Sequence, residues 1–372
     1  MSSRGTLRSG VHSNEIATGG GPESKSTMPG VYRSPPEPAR RAGPLLLAAA
    51  ACLAAGCAAR DRDSPSIRLT ETRRAMGVPW TITVCAASAP AGQAALAAAF
   101  AEIARLDAIL SDYDPASELS QLSAASPMES PRRVSPDLWR VLAAAVEVRD
   151  ASAGGFDPTV GPLATLWRQA RRSGRLPLPD KLAAARLAVG PEALELVPPD
   201  GVLLPRPGTR LDLGGIGMGY AADRALEVLS RHGIGSALVD ASGDVAASGP
   251  PPGETGWRIA VAPRAGAGSR AAPLELAHAA VTTSGDAFQA VEIDGVRYSH
   301  IVDPRTGLGV AGRSAVTVVA PDGTTADALA TAASVLGPQA GLELVARRPG
   351  CAARFVWEAG GKIREATTPA WP

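Results

Sequence analysis

The chain has 372 residues, of which 45% are hydrophobic and 20% are charged, and its formal net charge is +1. These proportions predict a globular body of one large or two moderate domains rather than a disordered chain. The balanced charge, together with the lack of an arginine-rich stripe interleaved with aromatic residues, argues against nucleic-acid binding.

The N-terminal part is predicted to be a leader that precedes the fold. Residues 1–41 are rich in Gly, Ser and Pro without a hydrophobic period, so we expect a disordered lead. Residues 42–57 follow two arginines with an apolar run that is typical of a secretory signal and too short to span a bilayer. Its end is similar to a bacterial lipobox, in which Cys57 would carry the lipid, although Ala54 stands where leucine is more usual. The protein is therefore expected to be exported and lipid-anchored at the cell membrane, or, with an ordinary cleaved signal, soluble in the periplasm.

After a tether at 58–66, residues 67–372 are predicted to form the folded body. Strands are expected from Ile67 to Val84 around a Met76-Gly77 turn. The apolar spacing of 93–110 and 137–150 predicts two amphipathic helices. Residues 171–208 are rich in Pro and Arg with weak periodicity, which indicates an excursion between the halves of the fold.

The second half of the body is predicted to consist mainly of strands. They are expected at 211–213, 236–240, 257–262, 274–282, 290–293, 297–302 and 315–319, with helices at 220–231 and 326–336. Runs of strands broken by a few helices predict an α+β fold with mostly antiparallel sheets and flanking helices. The two cysteines of the body, Cys85 and Cys351, could pair in an oxidising compartment, and the sequence leaves this open.

A glycine-rich turn from Gly214 to Gly219 joins a predicted strand to a predicted helix. Its backbone N–H groups at the helix N-terminus favour a phosphate, although the glycine spacing fits neither a Rossmann nor a Walker motif. A tight turn without a ligand is the alternative. Asp212, just before the turn, favours a site, because a carboxylate at such a loop calls for a ribose, a ring nitrogen or a metal.

Asp327 and Thr331 are four residues apart on a predicted helix, so their oxygens share one helix face. Hard cations such as Mg²⁺ are bound by such oxygens together with substrate phosphates. The structural alternative is that the helix dipole favours an Asp in the first turn and that Thr331 is a satisfied helix hydroxyl.

The stretch 282–307 concentrates polar and turn-forming residues. Thr282 to Gly285 is expected to place hydroxyls on a flexible turn, and Asp294-Gly295 predicts a hairpin. His300 lies among these turns, whereas His278 lies in an apolar predicted strand, where a core role is expected. A plain hairpin with polar turns is the alternative to a catalytic site.

Together these blocks resemble the ApbE family, the FAD:protein FMN transferases. The resemblance runs from about residue 76 to the C-terminus. It is carried in order by Met76-Gly77, SDYDPASELSQLS, GGFDPTVGPLATLW, LDLGGIGMGYAADRA, ALVDASGDV, the stretch 282–307 and ADALATA. It implies an α+β fold with a T-fold-like core, FAD as the substrate and Mg²⁺ as the cofactor.

The resemblance also implies the residues of the site. FAD would be held by Met76, Tyr113, Gly155, Phe156, Asp157, Asp212, Met218 and Ile301, with Tyr113 and Phe156 suited to stacking on a ring. Mg²⁺ would be held by Asp327 and Thr331, with help from the backbone near Gly215. The chain departs from the family at Met218, where lysine is frequent, and at Ala330, where some members have a second acidic residue.

The implied reaction is the Mg²⁺-dependent transfer of FMN from FAD to a threonine or serine hydroxyl of an exported or membrane partner protein, with release of AMP. Acceptors in the family are respiratory electron-transfer subunits. His300 is expected to handle the hydroxyl proton or to contact a phosphate, and Asp327 to serve catalysis through the metal. Two alternatives remain: a Mg²⁺-dependent FAD pyrophosphatase, which would give free FMN and AMP, and a non-catalytic flavin-binding lipoprotein.

Overall fold

A computed structural model describes residues 66–261, 273–285 and 290–372. The lead at 1–41, the signal at 42–57 with Cys57, and all but the last residue of the tether lie outside the described residues. In the described ranges, no helix is long and apolar enough to cross a membrane.

The secondary structure alternates helical and strand segments along the chain. The strands are β1 (Ile67–Ala75), β2 (Val78–Ala86), β3 (Arg132–Arg133), β4 (Glu195–Val197), β5 (Gly201–Leu203), β6 (Ser236–Ala241), β7 (Asp244–Ala247), β8 (Trp257–Ile259), β9 (Leu274–Leu276), β10 (Ala279–Gly285), β11 (Ala290–Ile293), β12 (Val296–Val302), β13 (Gly309–Ala311), β14 (Ser314–Ala320), β15 (Ala352–Ala359) and β16 (Lys362–Thr367). The helices are α1 (Ala89–Leu110), α2 (Glu118–Ala124), α3 (Pro136–Ala151), α4 (Gly161–Ser173), α5 (Pro179–Arg186), α6 (Gly217–Arg231), α7 (Gly323–Leu336) and α8 (Pro338–Ala346), with one 3₁₀ turn at Pro191–Ala193.

An eight-stranded sheet in the order β1-β2-β6-β7-β10-β14-β15-β16 forms the centre of the fold. Every neighbouring pair in it is antiparallel, as are the pairs of the three smaller sheets. Helices α1, α6, α7 and α8 pack against its strands. The prediction of an α+β fold with mostly antiparallel sheets and flanking helices is therefore confirmed.

The main hydrophobic core lies between this sheet and its helices. It is built from side chains such as Trp80, Ile82 and Val239 of the strands, together with Phe100 and Ile103 of α1. Fully burying a side chain of this size contributes about 1.5–3 kcal/mol. The helical spacing that predicted 93–110 is confirmed, and α1 begins earlier because the Ser88 side chain accepts from the backbone of its first turn.

Several predicted elements are wrong in detail. The segment 211–213 forms no strand, because the Asp212 N–H donates to the carbonyl of Pro158 rather than to a sheet neighbour. The predicted strand 274–282 breaks at His278, which is exposed with φ of +52° and has no core role. Thr282 to Gly285 is not a turn but the end of β10, paired with β14.

Other differences concern caps and cysteines. The side chain that caps α7 is Asp322, which accepts from the backbone N–H of Thr325, so this helix begins at Gly323, earlier than the predicted 326. The excursion at 171–208 holds the end of α4, all of α5 and strands β4 and β5. Cys85 and Cys351 are both free thiols, so the pairing that the sequence left open does not form in the structure.

Candidate active site

Helices α6 and α7 cross at a pair of glycines. A Cβ added to Gly219 would lie 2.0 Å from the carbonyl oxygen of Gly323, and a Cβ on Gly323 would lie 2.6 Å from the carbonyl oxygen of Gly219. Neither position has room for any side chain, because the backbones themselves are in contact. The glycine-rich turn therefore brings the two helix N-termini together, whatever else it binds.

Each of these helices supplies a carboxylate to the N-terminus of the other. The Gly219 N–H donates to Asp327 Oδ2 at 3.1 Å. In return, Asp223 of α6 accepts from the N–H groups of Gly323 and Thr324, at 2.6 and 2.8 Å, and from the Thr324 hydroxyl at 2.6 Å. The first N–H groups of a helix lack partners within it, so both carboxylates satisfy a need of the fold. Asp327 thus has a structural role, as the alternative in the sequence analysis expected. The helix N-terminus that it stabilises, however, is that of α6 and not that of its own helix α7.

The predicted metal ligands do come together. Thr331 lies one turn beyond Asp327 on α7, and a Cβ on Gly215 would lie 2.8 Å from Thr331 Oγ1. The charge of Asp244, on β7, also acts on Asp327, and Asp244 in turn accepts a hydrogen bond from Thr282. We call Asp244, Asp327 and Thr331 the oxygen cluster.

The buried acids at this place all have raised pKa values. Burial raises the pKa of Asp327 well above its usual range, and the nearby charge of Asp244 raises it further. Burial raises the pKa of Asp244 to about 6, against the hydrogen bond from Thr282. The pKa of Asp223 is also raised by burial, although its donors on α7 oppose the shift. A cation beside these groups would favour their charged forms and lower these pKa values.

The chemistry of the oxygen cluster fits a hard divalent cation. Mg²⁺ is usually held by one or two carboxylates, with substrate phosphates and water completing its shell. Within the described residues, no group of three or more His, Cys, Asp or Glu is arranged to hold a metal ion. The donors here are carboxylate and hydroxyl oxygens against a glycine backbone, which suits Mg²⁺.

A second polar group lies at the start of the glycine-rich turn. Asp212 accepts from the Gly214 N–H at 2.9 Å and forms an ion pair of 2.8 Å with Arg168 of α4. Arg168 also pairs with Asp112 at 2.6 Å, and its guanidinium lies 4.4 Å from the centroid of the Tyr113 ring. Tyr113 and Asp212, which the sequence predicted separately, are therefore joined through Arg168.

The predicted turn at 155–157 lies next to Asp212. The Asp212 N–H donates to Pro158 O at 2.8 Å, immediately after the turn. Asp157 is buried and accepts from the N–H and the hydroxyl of Thr159, so its carboxylate is engaged within the loop. The Phe156 ring is 5% exposed and packs in the main core, so its faces are not available for stacking, in contrast to the prediction. The backbone of this turn is engaged as well, because the N–H groups of Gly155 and Phe156 both donate to Ser152.

Met76 and Met218 occupy ordinary positions next to the core. Met76, with φ of +48°, forms the β1–β2 turn with Gly77, and its N–H donates to Asp107 at 3.1 Å. Met218 lies in the first turn of α6, half-buried against the main core. Its thioether contributes no charge to the N-terminus of α6.

His300 and Ile301 lie on β12. Ser299 and Ile301 are buried while His300 between them is exposed, as expected for residues on alternate faces of a strand. The strand is held by Trp167 of α4, whose indole N–H donates to Ser299 O at 2.9 Å. The side chains of His300 and Ile301 therefore lie on opposite faces of β12.

The sequence analysis did not identify four charged residues of these clusters, namely Asp112, Arg168, Asp223 and Asp244. Each lies inside or beside a motif that the sequence analysis had singled out. The Asp pair of ALVDASGDV was the available signal for Asp244, since a buried carboxylate on a strand calls for a partner. Arg168 offered no signal, because it follows an apolar run as an ordinary helix-surface arginine.

Proteins of one known family resemble this chain in sequence and in fold. The model of the ApbE family matches residues 76–355 of the chain. The chain belongs to the ApbE family. The FAD:protein FMN transferase of Treponema pallidum is 32% identical to it over 283 residues, covering 71% of this chain and 77% of the relative. The FAD:protein FMN transferase of Salmonella typhimurium is 28% identical over 331 residues, covering 86% and 94%.

Solved structures of ApbE proteins have the same fold. The apo flavinyl transferase ApbE of Pseudomonas stutzeri matches with a TM-score of 0.72 and 32% identity, covering 82% of this chain and 96% of that one. The flavin transferase ApbE of Vibrio cholerae matches with a TM-score of 0.74 and 26% identity, covering 82% and 98%. The predicted family is thus confirmed by both sequence and fold.

Proposed function

We propose that this chain is an FAD:protein FMN transferase that moves FMN from FAD to a threonine or serine hydroxyl of a partner protein and releases AMP. The observation that carries the proposal is the continuous segment 212–219. At one end Asp212 joins the Tyr113 and Arg168 group, and at the other the Gly219 N–H meets Asp327 of the oxygen cluster. A dinucleotide lying along this segment would meet an aromatic ring, helix N–H groups and a metal site in turn.

The proposed cofactor is Mg²⁺, held by Asp327 and Thr331 with the backbone near Gly215, and with Asp244 behind Asp327. When bound, it would neutralise charge on the pyrophosphate of FAD, which is the main requirement of phosphoryl transfer. The residues of the chain contribute position: the glycine crossing holds α7 against α6, and the Gly219 N–H donates to Asp327 at this junction.

In the proposed reaction, the acceptor hydroxyl oxygen forms a bond to the FMN-side phosphorus while the bond from that phosphorus to the bridging oxygen breaks. AMP leaves with the bridging oxygen and its electron pair, and the hydroxyl proton passes to a base. His300 is the proposed base or phosphate contact, since it is exposed on β12 and histidine is the side chain that most often serves as a general base in enzymes. Replacing His300 by Ala should slow transfer while FAD still binds; an unchanged rate would remove it from this role.

The location and the partner belong to the same proposal. An export signal ending at Cys57 suits a lipid-anchored enzyme facing the periplasm, with a soluble periplasmic form as the alternative. A tether at the membrane would bring the site close to membrane-bound acceptors, and respiratory electron-transfer subunits with a Thr or Ser site are the proposed class.

The decisive experiment mixes the purified chain with FAD, MgCl₂ and a flavoprotein subunit that carries a candidate threonine. A fluorescent flavin that stays on the acceptor in a denaturing gel, and disappears when that threonine is changed to valine, supports transfer. Free FMN with AMP and no labelled acceptor would instead indicate a pyrophosphatase. Flavin binding without any product would indicate a binding protein.

A further inference from the structure

Arg168 links three segments that lie far apart in the sequence. It projects from α4 and bonds Asp112 Oδ2 through Nη1 at 2.6 Å and Asp212 Oδ2 through Nη2 at 2.8 Å. The same guanidinium lies against the ring of Tyr113, 4.4 Å from its centroid. One side chain thus contacts the loop after α1, the loop before α6 and an aromatic ring.

The guanidinium of Arg168 offsets the negative charge of two largely buried carboxylates, those of Asp112 and Asp212. The side chains of Asp112 and Asp212 are 16% and 11% exposed, and the side chain of Arg168 is 26% exposed. Burial and the like charge of Asp112 raise the pKa of Asp212, while the charge of Arg168 opposes them. A planar guanidinium can bond two carboxylates and stack on a ring at once, whereas an ammonium group cannot.

The position of Tyr113 is unusual for an aromatic residue. It is 76% exposed, so core packing does not fix its ring. Its backbone is held by Ser111, whose hydroxyl accepts from the Tyr113 and Asp114 N–H groups. Arg168 covers one face of the ring, which leaves the other face open to a flat ligand.

Arg168 is itself held in place by its neighbour in the chain. Trp167 is 1% exposed and donates to Ser299 O at 2.9 Å. A Cβ on Gly309 would lie 2.4 Å from the Trp167 ring, so the contact between α4 and the β12–β13 hairpin is close. Arg168 therefore extends from a fixed helix rather than from a mobile surface.

We propose that Arg168 is a positioning residue that presents the open face of Tyr113 to an aromatic ring of FAD and holds Asp212 beside the dinucleotide. This inference rests on the proposed function, because it takes FAD as the ligand of this segment. The ring is either the isoalloxazine or the adenine, and both offer the same flat surface to Tyr113. Arg168 does not touch the reacting phosphorus in this account.

The first test measures the Kd of FAD by flavin fluorescence, without acceptor or turnover, for the wild type, Arg168→Met and Arg168→Lys. We expect binding to weaken about tenfold in Arg168→Met and by a smaller factor in Arg168→Lys. Arg172→Ala, an exposed arginine of the same helix, is the matched control and should leave the Kd unchanged. A Kd in Arg168→Met within twofold of the wild type, with a normal Tm, would overturn the proposal. If Arg168→Met fails to fold, the Kd of Arg168→Lys is used instead, and a value within twofold of the wild type, with a normal Tm, would overturn the proposal.

The second test is a double-mutant cycle with Tyr113→Ala. If Arg168 acts through Tyr113, the double variant binds FAD no more weakly than the weaker of the two single variants, and additive losses would contradict the coupling. Titrations with FMN and with ADP identify the ring, because the ligand that carries it loses affinity in both single variants. No loss for either ligand would contradict stacking. A wild type that fails to bind FAD contradicts the proposed function itself, whereas an unaffected Arg168→Met contradicts only the role of Arg168.

Discussion

Two groups of acids lie against helix α6, and they differ in their partners. At its N-terminus, Asp223 and the oxygen cluster contact backbone N–H groups and hydroxyls, and their carboxyl groups have raised pKa values. A separate ion-pair cluster joins α1, α3 and α6 through Glu102, Arg105, Asp137, Tyr220 and Arg224. There the pKa values of both acids are lowered.

The difference comes from the cations that the chain supplies. Hydrogen bonds from Arg105 lower the pKa of Glu102. Burial pushes the pKa of Asp137 upward, but hydrogen bonds from Tyr220 and Arg105 outweigh it. No ion pair with an arginine or lysine is found for Asp244 or Asp327 in the part of the chain that the structure describes. Arg105 pairs with Glu102 and Asp137 inside the protein, whereas Asp244 and Asp327 are, in our proposal, the acids that receive a cation from outside.

The largest effect is expected from Asp327→Asn. Asparagine keeps an acceptor for the Gly219 N–H but removes a metal-binding charge, so FMN transfer should fall about a hundredfold or more. Without Mg²⁺, the variant should unfold at the same or a higher temperature than the wild type, because a costly buried carboxyl is gone. Asp322→Asn, at the cap of the same helix, is the control and should retain activity, since asparagine caps as well as aspartate. A destabilised but active Asp327→Asn would refute the contrast between the two groups.

Asp137→Asn should lower the stability of the fold and leave the activity nearly unchanged, which is the opposite of the result expected for Asp327→Asn. Removing one partner of the ion-pair cluster leaves Arg105 and Tyr220 with a weaker acceptor, and we expect the free energy of unfolding to fall by about 1–3 kcal/mol. The transferase rate at a permissive temperature should remain near that of the wild type. Urea unfolding measures the loss, with Asp180→Asn, an exposed first-turn acid of α5, as the control. An inactive but stable variant would show that this cluster also serves the site.

Gly219→Ala tests the close contact between helices α6 and α7 at Gly219 and Gly323. The added methyl would meet the carbonyl oxygen of Gly323, so the helices must separate, at a cost of about 1–3 kcal/mol. The rise in Tm on adding Mg²⁺ should also become smaller. Gly217→Ala, two residues earlier, would place its Cβ 4.0 Å from the Cβ of Leu213, which is an ordinary van der Waals contact, and should be neutral. Equal behaviour of the two variants in thermal unfolding would contradict the account.

The smallest effect is the pH dependence of the metal-free protein. Burial raises the pKa of Asp244 in the folded protein to about 6, above the usual value of an aspartate, so this group favours the folded state at low pH and that stabilisation is lost as the pH rises through about 6. The free energy of unfolding should therefore fall between pH 5 and pH 7 by about 1–2 kcal/mol, and less in Asp244→Asn. Asp137 acts in the other direction, because its lowered pKa makes its contribution disappear only below the usual pKa of aspartate. A stability curve that is the same in Asp244→Asn would remove Asp244 from this explanation.

The sequence predicted those parts of the fold that depend on local pattern. The β1–β2 hairpin follows from the Met76-Gly77 turn, and α1 follows from its apolar spacing. The shared face of Asp327 and Thr331 follows from helical geometry alone. These features need no knowledge of distant residues.

What the sequence could not predict depends on contacts between distant segments. Arg168 and Asp212 are 44 residues apart, and Gly219 and Asp327 are 108 apart. Whether Phe156 faces a ligand or the core likewise depends on how α7 and its neighbours pack, which the local pattern does not contain. The segment 211–213 has the composition of a strand, yet its backbone pairs with Pro158 instead.

The most direct test of the central claim is the mass of the acceptor after incubation with the wild-type chain and FAD, with Mg²⁺ and with excess chelator. The account predicts that the acceptor gains the mass of one FMN on its threonine in the presence of Mg²⁺ and none with the chelator. Equal labelling under both conditions would contradict the assignment of the oxygen cluster as a metal site. Free FMN with an unlabelled acceptor would contradict the transferase itself.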